Sequence, residues 1–310
     1  MSLTRAQFFK LLTKVLDKIW DDRYRNYETI YDKIFNVQKS EKAFEKEWGY
    51  GGFGRARIMG EYDPVQYEDP KSGYDATYYH QKYGLGYIVS QEMIDDDLYG
   101  EIRKLPANLV HAIMITVEFF AAAILDNAFV TAGYDGKALC ANDHPLLNGG
   151  TLDNKIASDL DATSLEAAMS LVYKLTNEME DPIMAKIESL IVPTDLVFTA
   201  DRLMKSAGYP TADIATPGTA VAGYNFDPND VNIIKGKIPK SIVSPYLASS
   251  RYWFLKVNTG AEDGLKFFWR KRPKQAHKED FDREAQKTKA TYRCSAGWSN
   301  VRNLIGSGPT

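Results

Sequence analysis

Cys140 and His144 lie four residues apart and are the side chains of this sequence with the clearest chemical potential. A thiolate beside an imidazole can form a nucleophile with its base, or two ligands of a zinc ion. Zinc takes three or four protein ligands, and the remaining histidines lie in unrelated segments, at His80, His111 and His277. A Cys nucleophile also needs a base that lowers its pKa, and none is identifiable. We therefore interpret Cys140 as a small buried side chain and His144 as a turn residue.

Gly49, Gly51 and Gly54 match the GxGxxG pattern of dinucleotide-binding loops. In such loops the glycines bring the amides at a helix start close to pyrophosphate. Here residues 55–62 alternate like a β-strand and Pro64 follows them, so no helix start is predicted. We interpret these glycines as the flexible or bent beginning of a strand.

Two clusters of charged residues are further candidates for ion-binding sites. Glu92 and the acidic residues 95–97 lack a loop of alternating oxygen ligands, so we assign them to helix capping rather than to cation binding. The basic run at 270–274 is offset at once by the acidic residues 279–282, which favours a solvated or interface cluster over a phosphate site. We therefore predict no catalytic, cofactor-binding or metal-binding residues and no enzymatic activity.

The composition is that of a globular protein with room for two or three subdomains. Of 310 residues, 44% are hydrophobic and 25% charged, which excludes disorder. Nineteen Tyr, fourteen Phe and five Trp indicate contacts with other chains, where aromatic residues are enriched. A formal charge of −3 excludes a protein that grips nucleic acid electrostatically. Two cysteines and no signal peptide indicate a reducing cytosol.

A long apolar helix is predicted within residues 95–133. Its apolar side chains recur at intervals of three and four: Leu98, Ile102, Leu105, Leu109, Ile113, Val117, Phe120 and Ile124. Residues 95–97 are expected to cap its start and Gly133 to end it, while Pro106 is tolerable only in the early turns. Glu118 and Asp126 make it too polar for a membrane span. It must instead be covered by strands of its own chain or by another subunit.

Two segments before this helix lack an obvious covering surface. Thr4 and Gln7 have capping-box spacing, and the helix that follows places an apolar face at Phe8, Leu12, Val15 and Ile19. Residues 31–89 then have a period of two, which predicts a long two-stranded excursion with its tip at 63–73 and a return strand at 77–89. Each segment either reaches a neighbouring subunit, which we favour for the excursion, or docks on its own core.

The second half of the chain predicts a mixed domain followed by strands. Thr163 and Glu166 form a capping box for a helix that runs to about Glu180. A strand at 187–192, a helix at 199–205 and a loop at 208–229 follow. The predicted closing strands lie at 252–257, 265–270 and 290–294, with the last two separated by the charged run at 270–283.

Several sequence strings carry a resemblance to a known family. They are residues 51–54, 67–73 (YEDPKSG), 83–86 (YGLG), 90–100 (SQEMIDDDLYG), 135–146 (DGKALCANDHPL), 191–199, 243–253 and 264–270. In this order they resemble the major capsid protein of tailed bacteriophages, the Hong Kong 97-type fold, and in detail the Mu-like major head subunit family. The likeness covers nearly the whole chain.

The resemblance implies an α+β fold with five segments. They are an N-terminal arm at 1–44, an extended β-hairpin loop at 45–90, a peripheral domain with a spine helix at 91–162, a mixed α/β axial domain at 163–246, and closing strands, largely of the peripheral domain, at 247–310. In that fold the arm and the loop reach over neighbouring subunits. Lys71 lies at the loop tip, but no partner for a covalent cross-link is identifiable.

The expected function is structural. The resemblance implies pentamers and hexamers of an icosahedral shell around the double-stranded DNA of a tailed phage or prophage, assembled in the bacterial host cytoplasm without a cofactor or membrane. Too few residues precede the arm for a scaffolding segment, so either the scaffold is a separate protein or the chain is a processed form, and Met1 favours a separate scaffold. A portal and a maturation protease or decoration protein are further expected partners. DNA would be contacted without sequence specificity. The alternatives are a prophage-derived protein compartment and a cytosolic hydrolase using Cys140 and His144.

Overall fold

The computed structural model contains helices and strands in mixed order, which confirms the α+β fold class. It describes residues 5–69, 72–96, 100–208, 231–260, 264–280 and 282–308. The helices are α1 (Arg5–Arg25), α2 (Tyr31–Ile34), α3 (Gln91–Asp95), α4 (Lys104–Asp126), α5 (Ala162–Tyr173) and α6 (Val197–Lys205). The strands are β1 (Asn36–Lys39), β2 (Phe44–Tyr50), β3 (Ser72–Tyr79), β4 (Gln81–Ser90), β5 (His144–Pro145), β6 (Thr151–Leu152), β7 (Lys155–Ile156), β8 (Lys186–Pro193), β9 (Ser241–Ser244), β10 (Trp253–Asn258), β11 (Leu265–Asp280), β12 (Ala285–Trp298) and β13 (Leu304–Ser307).

The chain forms two compact units, each built from three separate segments. Unit 1 comprises Met1–Glu45, Tyr78–Ala121 and Phe267–Ala296, and unit 2 comprises Lys46–Thr77, Ala122–Lys266 and Gly297–Thr310. Each unit therefore closes only when sequence segments far apart in the chain meet.

Unit 1 is organised by a sheet of strand order β1-β11-β12-β4. β12 and β4 run antiparallel over ten residue pairs, and the partners Tyr83 and Tyr292 stack with ring centroids 5.2 Å apart. Phe120 of α4 contacts Tyr83 edge-on at 5.8 Å and Phe267 at 6.2 Å. Strands of its own chain thus cover this part of the long helix, which is one of the two arrangements that its apolar surface requires.

Part of α1 packs against other elements of unit 1. Leu16 is 2% exposed and lies in a core cluster with Val89, Ile94 and Ile102. The predicted apolar face was out of phase, since Val15 is 43% exposed while Trp20 is buried. The capping box at Thr4 and the side chains of residues 5–12 lie outside what the structure describes. For the described part of α1, its own chain supplies the partner surface.

The long helix is shorter than predicted at both ends. A separate helix, α3, precedes it, and the Ser90 hydroxyl caps that helix by accepting from the Met93 amide at 3.3 Å. Gly100, in the left-handed region at φ +68°, lies between α3 and α4. The prediction that residues 95–97 cap α4 was therefore wrong for the described Asp95 and Asp96, which end α3, and Asp97 is outside the described residues. Pro106 lies in the first turn, as predicted.

The two acidic side chains of α4 have internal partners. The Glu118 carboxylate accepts from the amides of Ile30 and Tyr31 at 2.7 and 3.0 Å, and Asp126 accepts from the Ala248 amide at 2.9 Å. Burial raises the pKa of both carboxyl groups above its ordinary value. By length and composition the stretch Glu101–Asp126 could cross a membrane, but half of its apolar window is buried inside the structure. Such burial is typical of a core helix.

Unit 2 contains a sheet of strand order β7-β13-β10-β8-β9. β10 is central, antiparallel to both β13 and β8, and its Trp253, Phe254 and Leu255 are fully buried. Complete burial of one such side chain contributes about 1.5–3 kcal/mol, so this sheet is the stable centre of the unit. The predicted strand at 187–192 and helix at 199–205 are confirmed as β8 and α6.

Other boundaries in the second half differ from the prediction. The capping box of α5 is formed by Asp161 and Ser164, with donor–acceptor distances of 2.6 and 3.0 Å, rather than by Thr163 and Glu166. α5 ends at Tyr173, well before residue 180. The charged run predicted to separate two strands is itself part of β11, because cross-strand contacts such as the Lys287–Asp280 ion pair (2.5 Å) satisfy its charges. Of the loop predicted at 208–229, residues 209–229 lie outside the described part.

The predicted excursion divides into two pieces. β2 pairs with β3 in a separate two-stranded sheet, whereas β4 joins β12, so the predicted return strand at 77–89 is interrupted at His80. The outgoing strand predicted at 55–62 is absent, since residues 51–69 contain no regular element. Lys71 lies outside the described residues.

Candidate assembly surfaces

Residues 52–69 lie between β2 and β3 in the chain and are here called the exposed loop. Every side chain in it is exposed. Its large apolar members are Phe53, Ile58, Met59, Tyr62, Val65 and Tyr67, with exposures between 47% and 102%. Six large apolar side chains left in water on one short segment make it a candidate interaction site, because soluble monomers rarely expose large apolar surfaces.

Polar contacts fix the path of the exposed loop without covering it. The Gly54 amide donates to Glu68 at 2.9 Å, and the Gly60 amide donates to Asp63 at 2.8 Å. Arg55 forms an ion pair with Asp181, also in unit 2. These contacts leave the apolar side chains in solvent, so the loop offers them to a partner surface.

Glycines on either side of the exposed loop allow the backbones of β2 and β3 to approach closely. A Cβ added at Gly73 would lie 2.8 Å from the Gly49 carbonyl oxygen, and one at Gly49 would lie 3.2 Å from the Tyr74 carbonyl oxygen. The close approach of β2 and β3 therefore requires glycine. Gly52 has φ +69°, and no regular helix follows it within residues 53–69. This arrangement supports the backbone interpretation of the GxGxxG match.

A cleft of about 440 Å³ in unit 2 lies where β2 ends and β3 begins, and Trp48, Tyr74 and Tyr134 contribute to its walls. Arg302 also lines it, but its Nη1 donates to Glu178 at 2.7 Å. The guanidinium charge is thus neutralised internally. Burial raises the pKa of the Tyr134 phenol, so that group stays neutral and cannot act as a base near neutral pH. Three aromatic side chains thus contribute to the cleft walls, and neither Tyr134 nor Arg302 supplies a base near neutral pH.

Cys140 and His144 are both buried in unit 2, where they form no nucleophilic pair. The imidazole Nδ1 lies 2.6 Å from Asp135 Oδ2 and Nε2 lies 3.1 Å from Asn154 Oδ1, so both ring nitrogens are already engaged. Burial raises the pKa of the Cys140 thiol, which keeps it protonated. Among the described residues no group of three potential ligands could hold a metal ion.

Both thiols are therefore expected to resist labelling in the folded protein. Burial raises the pKa of Cys294 to about 12, and Cys140 and Cys294 are each at most 1% exposed. Reaction with a chromogenic disulfide at pH 7.5 should be at least about 100-fold slower than in denaturant, because it requires local unfolding. Rapid native labelling that disappears in Cys140→Ala would contradict the structural role of Cys140.

Asn154 is a buried polar residue that no sequence pattern singled out. It is fully buried, and its Nδ2 lies within 2.8 to 3.1 Å of the carbonyl oxygens of Leu139, Val301 and Leu304. Its Oδ1 accepts from the Ala141 amide at 2.9 Å. One side chain thus joins the loop after α4 to the C-terminal strand region. Asn154 lies in a loop rich in Asn, Asp and Gly, so its residue type does not distinguish it in the sequence.

The sequence matches a family model described as phage capsid protein over residues 74–305. The chain belongs to this family of phage capsid proteins. No curated protein sequence matches it. Capsid proteins are structural components of the virion and associate with further copies of themselves, and the predicted structural function and capsid location follow from the family. The Mu-like subfamily stays a prediction.

Solved structures show the same fold at low sequence identity. The procapsid of bacteriophage JBD30 is 15% identical, with a TM-score of 0.53 over 99% of this chain and 76% of that chain. The capsid of a native GTA particle is 15% identical, with a TM-score of 0.54 over 92% and 91% of the two chains. A virus-like particle from Pyrococcus furiosus is 8% identical, with a TM-score of 0.55 over 95% and 98%. These likenesses establish the capsid fold.

Proposed function

We propose that this capsid protein is the major head subunit of a tailed phage or prophage and assembles as pentamers and hexamers of an icosahedral shell around double-stranded DNA. The observation that carries the proposal is the exposed loop, which presents six large apolar side chains to solvent in a member of the phage capsid family. Repeated contacts between copies would bury this surface and close the shell, since heterologous contacts generate rings when their rotation closes.

The proposed division of labour follows the five segments named above. Residues 1–44 serve as the arm, 45–90 as the extended loop, 91–162 as the peripheral domain, 163–246 as the axial domain, and 247–310 as closing strands. The exposure of residues 52–69 supports the loop assignment. The burial of Leu16 and Trp20 means that these two side chains of the proposed arm pack on their own chain.

The remaining partners are proposed from the family alone. They are a separate scaffolding protein, a portal, and a maturation protease or decoration protein, with assembly in the bacterial host cytoplasm. The net charge of −3 suits a wall that contacts packaged DNA without sequence specificity, because strong phosphate binding would hinder packaging and release.

Imaging tests the proposal directly. The full chain, purified alone and after co-expression with a candidate scaffold, is expected to give pentamers, hexamers or closed shells by electron microscopy. A strict monomer under all conditions would count against shell assembly. Nuclease-protected DNA inside purified particles supports the virion, whereas protein cargo without DNA would replace the virion with a compartment shell.

A further inference from the structure

His80 occupies the single residue between β3 and β4, where the chain returns from the hairpin to the sheet of unit 1. Its Nε2 lies 2.9 Å from the Ser40 hydroxyl, and its Nδ1 lies 3.0 Å from the Ser295 hydroxyl on β12. The Ser40 hydroxyl in turn donates to Glu45 at 2.7 Å, close to the start of β2. Both ends of the chain segment between residues 45 and 80 therefore meet at one imidazole.

The proton positions in this cluster follow from counting donors. The one hydroxyl hydrogen of Ser40 goes to the Glu45 carboxylate, which has no proton to give when ionised. Ser40 must then accept from His80, so Nε2 carries the hydrogen. In a neutral imidazole Nδ1 is left as an acceptor for the Ser295 hydroxyl. The result is a directed chain from Ser295 through His80 and Ser40 to Glu45.

The surroundings favour the neutral imidazole. Burial, together with the positive charges of Arg293 and Arg270, lowers the pKa of His80 below its ordinary value, and the opposing effect of Glu45 does not outweigh them. Lys82 and Lys271 line the same cleft beside the ring and add further positive charge. Ser40 and Ser295 are 1% and 3% exposed, so little water reaches their hydroxyl groups.

Glu45 completes the cluster as its ionised end. Partial burial opposes ionisation, but hydrogen bonds from Ser40 and Lys42 outweigh it and hold the pKa of Glu45 below its ordinary value. Glu45 therefore stays a carboxylate in mildly acidic solution, whereas the imidazole of His80 can change its charge there.

We propose that the chain Ser295–His80–Ser40–Glu45 is a pH-sensitive latch that ties both ends of the hairpin segment to β12 and opens when the imidazole is protonated. Protonation converts Nδ1 from an acceptor to a donor, so the Ser295 hydroxyl must turn its hydrogen away from the ring. Protonation also places a third positive charge beside those of Arg293 and Arg270. An open latch exposes the ring to water, where the added charge is solvated. The latch concerns one chain and does not depend on shell assembly.

The direction of the pH dependence follows from linkage. The closed state has the lower His80 pKa, so the open state binds the extra proton. The closed latch therefore has its full stability above pH 6.5, the ordinary pKa of histidine. This stability decreases as the pH falls from 6.5 towards the lower pKa that His80 has in the closed latch.

Amide hydrogen exchange of the full chain at pH 7.5 and pH 5.0 tests the latch. Protection factors, which correct for the intrinsic pH dependence of exchange, are expected to fall several-fold in peptides covering residues 41–50 and 72–82 at pH 5.0. The oligomeric state is measured at both pH values so that only equal states are compared.

Three variants separate the latch from general acid effects. His80→Gln keeps a neutral donor and acceptor and should lose the pH response, and Ser295→Ala should lower protection at pH 7.5 and reduce the response. His111→Gln changes an exposed histidine of α4 and should retain the full response. A wild-type protein with equal protection at both pH values, or a His80→Gln variant with the wild-type response, would overturn the proposal.

Discussion

Replacing Phe53, Ile58, Tyr62 and Tyr67 of the exposed loop with serine is expected to abolish assembly without unfolding the subunit. These side chains are at least 63% exposed in the single chain, so each substitution should change the free energy of unfolding by no more than about 0.5 kcal/mol. At an interface, each would contribute about 1.5–3 kcal/mol by burial. Their joint loss should raise the critical concentration for assembly by more than about 100-fold, as measured by light scattering and electron microscopy.

The matched control keeps apolar area at the same four positions. Phe53→Tyr, Ile58→Leu, Tyr62→Phe and Tyr67→Phe together should assemble close to the wild-type concentration. If the serine variant formed particles at the same concentration as the wild type, the exposed loop would not be an assembly surface. Unfolding of the serine variant, seen as a lower urea midpoint, would instead reveal an intramolecular role.

Asn154→Ala is expected to lower the free energy of unfolding by about 3–4 kcal/mol, a large loss for a single polar substitution. The change leaves the carbonyl oxygens near Nδ2 and the Ala141 amide without their buried partner, and these groups cannot regain water. Urea unfolding should show a lower midpoint, and hydrogen exchange should locate the loss of protection in peptides around residues 139–156.

Asn127→Ala is the matched control for this prediction. Asn127 is exposed and its Nδ2 donates to a single carbonyl, that of Ala123, at 2.7 Å. Its replacement should therefore cost less than about 1 kcal/mol. An unchanged midpoint for Asn154→Ala would show that rearranged chain or water satisfies the exposed carbonyl groups, and Asn154 would not be an organising centre.

Local sequence patterns predicted elements best where one face is buried within one unit. The three-and-four spacing at Leu109, Ile113 and Val117 predicted α4, and all three side chains are buried. The period of two in residues 77–89 predicted a strand, and most of that segment is found in β3 and β4. Patterns failed where the covering surface is not local: the face of α1 was out of phase, and residues 55–62 alternate without any strand partner.

The sequence by itself determined the α+β class, the long helix, β8, α6 and membership of the phage capsid family, because spacing and family strings are local properties of the chain. Only the tertiary structure decided where α4 begins, that β4 leaves the hairpin to pair with β12, and which polar side chains organise the units. Glu118 accepts from an amide 88 residues away, and Asn154 contacts a carbonyl 150 residues away. Hydrogen bonds across such separations depend on how distant segments meet, and no periodicity along the chain records that.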